Sequence, residues 1–334
     1  MKSTQYALRF ESWINSRKLA FFIVFLLITA FFYAYASYRQ LTQINTKNYW
    51  CDQESYVFYA MRLHDNPDYI GDYNRMPIYP WMLSFIYDSS MTEDDFFDRA
   101  KVFNIALSGV VLLAAFALFL RLFPKLIAIN LMLLVTFTVY IFKSAYIQTE
   151  MLFFFLNFCV FLLLLQMLIK PGWRLALLTG ILLGITHLTK GSVMVALGIF
   201  LFVFALRAVY LAYRARTLKP VLSQAAYALL IVVTYIAVIW PYIRTSKRVY
   251  DSYLFNLNTT IYMWYDSWAD VKEGAWLYRD QEGWPPIDVP TMQTYLQQKS
   301  PADIAARILD GFRVMIQRHT YRGGYGYFWY ILTF

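Results

Sequence analysis

Long apolar runs separated by short polar breaks dominate the first three quarters of the chain. Seven runs stand out: Leu19–Tyr38, Val102–Leu120, Leu126–Phe142, Met151–Ile169, Leu175–Leu188, Val193–Leu211 and Ala225–Trp240. As helices, six of them match a hydrocarbon core of about 30 Å. Leu175–Leu188 is shorter and spans if it stands upright or the bilayer thins around it. Lipid offers no partner to an open sheet edge, so the spans must be helices or a closed barrel. No ten-residue alternation of lipid-facing and lumen-facing positions is present, which excludes the barrel. The pattern predicts an all-α polytopic membrane bundle.

The polar breaks are uneven. Residues 39–101 form a long first loop with two helical stretches, Cys51–Leu63 and about Tyr79–Tyr87. Asn66-Pro67-Asp68 stops the first, and Pro77 and Pro80 open the second. Thr92-Glu93-Asp94-Asp95 has the form of a helix N-cap leading into the second crossing. On the same side lie the turns Lys143–Glu150 and His187–Ser192 and the exit Trp240-Pro241-Tyr242-Ile243-Arg244. Residues 1–18 read as a basic amphipathic lead-in with Phe10, Trp13 and Ile14 toward lipid. After a membrane module over 1–242, residues 243–334 form a polar segment with an amphipathic helix at Pro301–Gln317, a hinge at Arg322–Gly326, and a hydrophobic ending, Tyr327–Phe334, that reads as the start of an uncompleted eighth crossing.

Apolar residues make up 59% of the sequence, which rules out a soluble reading. The net charge of +9 is distributed by side. Seven crossings put twelve Lys and Arg residues on one side with Glu11 as their one acid, and every other acid on the opposite side. The positive-inside rule makes the basic side cytoplasmic, with the N-terminus there. The basic balance is thus a topology signal and does not point to nucleic acid. Cys51 lies outside the membrane and Cys159 within it, so no disulfide is expected. His64, His187 and His319 lack zinc spacing and are read as ordinary polar residues.

The chemistry gathers on the acidic side. If Cys51–Leu63 is helical, Asp52, Tyr56 and Tyr59 fall at i, i+4 and i+7 on one face. Glu54 falls on another face. Each acid also has a plain reading as a solvated loop charge. Glu150 opens the fourth span, where an acid stabilises a helix N-terminus by about 0.3–1 kcal/mol; an ionisable group at the hydrocarbon edge is also a functional candidate. Lys190 and Arg244 close the fifth and seventh spans, either as snorkelling anchors or as cations for a phosphate. Arg75 sits in the same loop as Asp52. No Gly-rich phosphate loop and no nucleophile elbow is present.

Five pieces, in this order, resemble the GT-C membrane glycosyltransferases, which include protein O-mannosyltransferases and lipid A aminoarabinose transferases. They are Asp52-Gln53-Glu54, Arg75-Met76-Pro77-Ile78-Tyr79-Pro80-Trp81, Thr149-Glu150-Met151-Leu152-Phe153, Gly180–Gly184 with Leu188-Thr189-Lys190-Gly191, and Trp240–Arg244. The last has Tyr242 where the family pattern has Trp. The resemblance implies a polyprenyl-phosphate sugar donor, a lipid, glycan or protein acceptor, and a site on the non-cytoplasmic face of a bacterial inner membrane. It implies Asp52 as general base, with Glu150 and Glu54 as further acids. Lys190, Arg244 and Arg75 are its implied phosphate ligands, and Tyr56, Tyr59 and Tyr79 its substrate contacts. Family members differ in metal use, so a divalent cation stays open. A transporter or flippase, or a non-catalytic subunit of envelope glycan assembly, are the other readings.

Overall fold

A computed structural model describes residues 9, 12, 18–46, 52–67, 69, 75–276, 284–285 and 287–321. Cys51, most of the lead-in with Phe10, Trp13 and Ile14, the hinge at 322–326 and the ending at 327–334 lie outside the described residues. The chain divides into two compact units, Met1–Leu254 and Phe255–Phe334.

The first unit is a helical bundle. Its elements are α1 (Lys18–Arg39), α2 (Gln53–Asp65), α3 (Ile78–Ser84), α4 (Glu93–Leu122), α5 (Lys125–Lys143), α6 (Glu150–Ile169), α7 (Trp173–Thr189), α8 (Val193–Ala215) and α9 (Lys219–Tyr250). Six helices (α1, α4, α5, α6, α8 and α9) are long and apolar enough to cross a membrane, and α7 is a shorter apolar helix of 17 residues. Two π-helical turns interrupt the regularity, Gln40–Ile44 at the end of α1 and Thr136–Tyr140 within α5.

Local chemistry explains several boundaries. Thr92 caps α4 by accepting the Asp95 amide at 3.2 Å, and Glu93, Asp94 and Asp95 place negative charge on the helix N-terminus. α8 ends at Arg216 and α9 at Asp251, both left-handed, with φ of 49° and 52°. Pro241 sits inside α9. It removes one hydrogen bond and frees the Ala237 carbonyl without ending the helix.

Three apolar clusters build the bundle. One joins α6 to α9 around Leu183, Phe204 and Ile231. A second joins α1, α4, α5 and α6 around Leu112, Ala128 and Met132. A third holds α2 and α3 on the start of α4 through Val57, Tyr79, Leu83 and Phe96. Lipid tails are as apolar as leucine, so helices associate in a membrane through close contact more than through a hydrophobic driving force. Gly180 and Gly184 supply that contact between α7 and α9. A Cβ at Gly180 would lie 2.7 Å from the Ile231 carbonyl oxygen, and one at Gly184 would lie 2.6 Å from Val238 Cβ. The two helices run parallel in tight register.

Among its described residues, the second unit is made of three short capped helices and one of 21 residues. These are α10 (Leu257–Thr260), α11 (Trp268–Gly274), α12 (Met292–Gln298) and α13 (Pro301–Tyr321). Ser267 with Asp270 and Thr291 with Thr294 form capping boxes. Asp266 accepts from Lys299 Nζ at 2.6 Å, and Arg307 donates to the Met263 and Tyr265 carbonyls at 2.7 and 2.6 Å. α13 matches the expected amphipathic helix and leaves Ile308, Leu309 and Phe312 exposed.

Candidate active site

Asp52 lies one residue ahead of α2, as its N-cap, and its carbonyl accepts the Tyr56 amide at 3.3 Å. Its Oδ1 accepts from Arg75 Nη2 at 3.0 Å. The partners differ sharply in exposure: Arg75 is 6% exposed and Asp52 61%. The guanidinium also lies over the Tyr56 ring, 5.5 Å from its centroid, which adds a cation–π attraction. Tyr56 meets Tyr79 edge-on at 5.3 Å, and the Tyr79 hydroxyl donates to Asn104 Oδ1 at 2.9 Å. Burial pushes the Tyr79 phenol well above its ordinary range, with the nearby Tyr56 and Glu150 adding to the effect. Tyr79 therefore acts as a neutral donor.

A second pair stands beside the first. Glu150 opens α6, and Lys190 follows the last residue of α7. Lys190 Nζ donates to Glu150 Oε1 at 3.1 Å, with exposures of 42% and 25%. The Thr149 hydroxyl donates to the Thr189 carbonyl at 3.1 Å, so the ends of α6 and α7 are tied twice. The other carboxylate oxygen, Glu150 Oε2, is buried with no hydrogen-bond partner among the described residues. The two pairs are neighbours: a Cβ on Gly191 would come 3.2 Å from Met76 Cε. The residue after Arg75 thus reaches the residue after Lys190.

The other candidates sit elsewhere. Asp52 is exposed while Tyr56 and Tyr59 are buried, and Arg75 bridges Asp52 to the Tyr56 ring. Tyr59 packs edge-on against Tyr69 at 5.4 Å. Glu54 is half-buried and joins neither pair. Arg244 does not close its helix: α9 runs on to Tyr250, carried past Pro241 by the buried Tyr242 and Ile243. Arg244 is exposed. The register of α9 on α7 sets it level with Lys190 but turns it about a third of a revolution from the contact stripe. Lys190 and Arg75 each pair with a carboxylate, Glu150 and Asp52 respectively.

Several buried polar groups around the site escaped the reading of the sequence. Gln53, Asn45, Asn104 and Lys101 are all buried. His187 is buried as well, and its Nδ1 lies 2.9 Å from the Tyr235 hydroxyl. The available signal was the row Lys101, Asn104 and Ser108, an i, i+3, i+7 polar stripe entering an apolar helix. Among the described residues no group of three or more His, Cys, Asp or Glu side chains could hold a metal ion.

Residues 67–246, just over half of the chain, match the family model for dolichyl-phosphate-mannose-protein mannosyltransferase. The chain belongs to that family. It is a multi-pass membrane member of a glycosyltransferase family, in line with the GT-C resemblance. Searches among curated proteins and among solved structures found no match. The matched stretch of this mannosyltransferase-family chain contains Arg75, Tyr79, Glu150, Lys190 and Arg244; Asp52 precedes it by fifteen positions.

Proposed function

We propose that the chain transfers a sugar from a polyprenyl-phosphate donor to a hydroxyl or phosphate of a lipid, glycan or protein acceptor, with inversion, on the non-cytoplasmic face. The observation that carries this reading is the exposed Asp52 carboxylate braced by the buried Arg75. For a hydroxyl acceptor, Asp52 takes the proton as the acceptor oxygen attacks the anomeric carbon. The bond from that carbon to the phosphate oxygen breaks, and the polyprenyl phosphate leaves with the electron pair. Lys190, whose ammonium has three donors and spends one on Glu150, offers the others to the departing phosphate. Glu150 orients the acceptor, and Tyr79 holds the Arg75 segment in place. Arg75 keeps the Asp52 carboxylate aimed.

The test is transfer in membranes carrying the intact chain, supplied with radiolabelled polyprenyl-phosphate sugars, mannose first. Label should leave the donor with the wild type and stay there with Asp52→Asn. Equal transfer by both would overturn the reading. Orientation is tested with single cysteines at Asp65 and Thr217, with Cys51 and Cys159 replaced by Ser. An impermeant reagent should reach them from opposite sides, and labelling from one side would discard the topology.

A further inference from the structure

We propose that Asn45, Gln53 and Asn104 form a clasp of buried amides that sets the position of Asp52 relative to Glu150. The inference rests on the reading above and concerns residues that touch neither reactant. The segment between α5 and α6 carries no regular structure, yet Ser144, Ala145 and Ile147 are completely buried. Buried backbone groups need partners, and here side chains from three other elements provide them. Asn104 Nδ2 donates to the Ser144 and Tyr146 carbonyls at 2.9 and 2.7 Å. Asn45 Nδ2 donates to the Ala145 carbonyl at 2.7 Å. Gln53 Oε1 accepts the Ile147 amide at 2.9 Å. Four consecutive residues are thus held by their backbones, three positions before Glu150.

The same amides reach the other acid. Gln53 directly follows Asp52 and is fully buried, and its carboxamide pairs with that of Asn45 in both directions, at 2.7 and 2.8 Å. Asn104 Oδ1 accepts the Tyr79 hydroxyl, which fixes the segment carrying Arg75. Lys101 Nζ donates to the Asn45 carbonyl at 3.1 Å and so anchors the clasp to α4. One connected set of hydrogen bonds therefore runs from the residue beside Asp52 to the turn that delivers Glu150. Two carboxylates on separate helices must be held to within a fraction of an ångström to act on one acceptor, and an error of about 1 Å can cost about 10²-fold in rate.

The experiment uses the purified full chain, with kcat and donor KM expressed per folded molecule and a melting temperature for each variant. Asn104→Asp keeps the acceptor for Tyr79 but has no N–H for the turn. It should lower kcat about 10- to 10²-fold with donor KM changed by less than about twofold. Gln53→Glu should act in the same direction. The exchanged pair Asn45→Gln with Gln53→Asn should recover more activity than either single change, the sign of direct coupling. Ser108→Ala, which removes a buried polar group on α4 that reaches Tyr33, should leave kcat unchanged. A wild-type kcat per folded molecule in Asn104→Asp and Gln53→Glu, with Asp52→Asn inactive, would overturn the clasp. Near-normal turnover in Asp52→Asn would instead overturn the reading it rests on. Should the amide variants not fold, hydrogen exchange on the wild type decides: the Ile147 amide, which donates to Gln53 Oε1, must exchange as slowly as the adjoining helices, and rapid exchange there overturns the clasp.

Discussion

The two carboxylate–cation pairs look alike in a list of contacts and differ in which partner is buried. In the first, the cation is sunk and the acid stands out: Arg75 is 6% exposed and Asp52 61%. In the second, the exposures are closer, with Lys190 at 42% and Glu150 at 25%. Removing one side of a buried pair leaves the other charge without compensation, at a cost of several kcal/mol, whereas exposed pairs contribute about 0–1 kcal/mol. Arg75 therefore depends on Asp52 more than Asp52 depends on Arg75, because water solvates an exposed carboxylate on its own. An acid that is aimed but not enclosed is suited to meet a substrate. Glu150 sits deeper and shares its cation with whatever else binds there, which suits an orienting group.

The largest expected effect breaks the comparison if it fails. Asp52→Asn keeps size and a hydrogen bond to Arg75 but removes the base. Turnover should fall about 10²–10⁴-fold with donor binding little changed. Asp52→Glu should recover little, since it displaces the carboxylate by about 1 Å. Glu150→Gln should cost less than Asp52→Asn in the same assay. If Glu150→Gln is the more damaging, the roles of the two acids are reversed.

Next in size is donor recognition. Lys190→Gln should raise donor KM about tenfold, the order of one charge-assisted contact, while Arg244→Gln should change it by less than about twofold. Equal effects would show that Arg244 also reaches the phosphate and that its outward position on α9 misleads. The smallest effect belongs to a third pair, Asp266 with Lys299 in the second unit, which gives the comparison its baseline. The Lys299 hydrogen bond holds the Asp266 carboxyl below the usual carboxylate range. A lowered native pKa gives stability that is present above the ordinary carboxylate range and is lost as pH falls through the lowered value. Limited proteolysis of the 255–321 segment in the intact chain should therefore rise only modestly on acidification. Lys299→Gln should shrink even that change, and an unaltered pH dependence would show the pair to be incidental.

Much of this fold could be read from the sequence, because membrane spans are written as composition. The apolar runs anticipate every long helix of the bundle, the short α7 included, and Thr92 marks its cap. Pro241 misled, since a proline after an apolar run reads as an end. The packing of Tyr242 and Ile243 carries α9 onward to Tyr250 all the same. The π turns at Gln40–Ile44 and Thr136–Tyr140 carry no local signature. At the site, the acids and cations could be named but not paired. Asp52 meets Arg75 across 23 positions, and Glu150 meets Lys190 across 40. The partner of Gln53 at Ile147 is 94 positions away. Such pairings are set by how helices stack, and residue spacing does not encode them.

The brevity of α7 also bears on depth. Seventeen residues rise roughly 25 Å, about 5 Å less than a common hydrocarbon slab. The parallel α9 continues about six residues beyond the level of Lys190, so the ammonium lies below the end of that neighbour. A prenyl chain is anchored in oil by its length, and pulling it upward to an ordinary surface site would expose that chain to water. Under the proposed function, a cation set below the end of α9 would let the donor phosphate meet its ligand while the tail stays submerged.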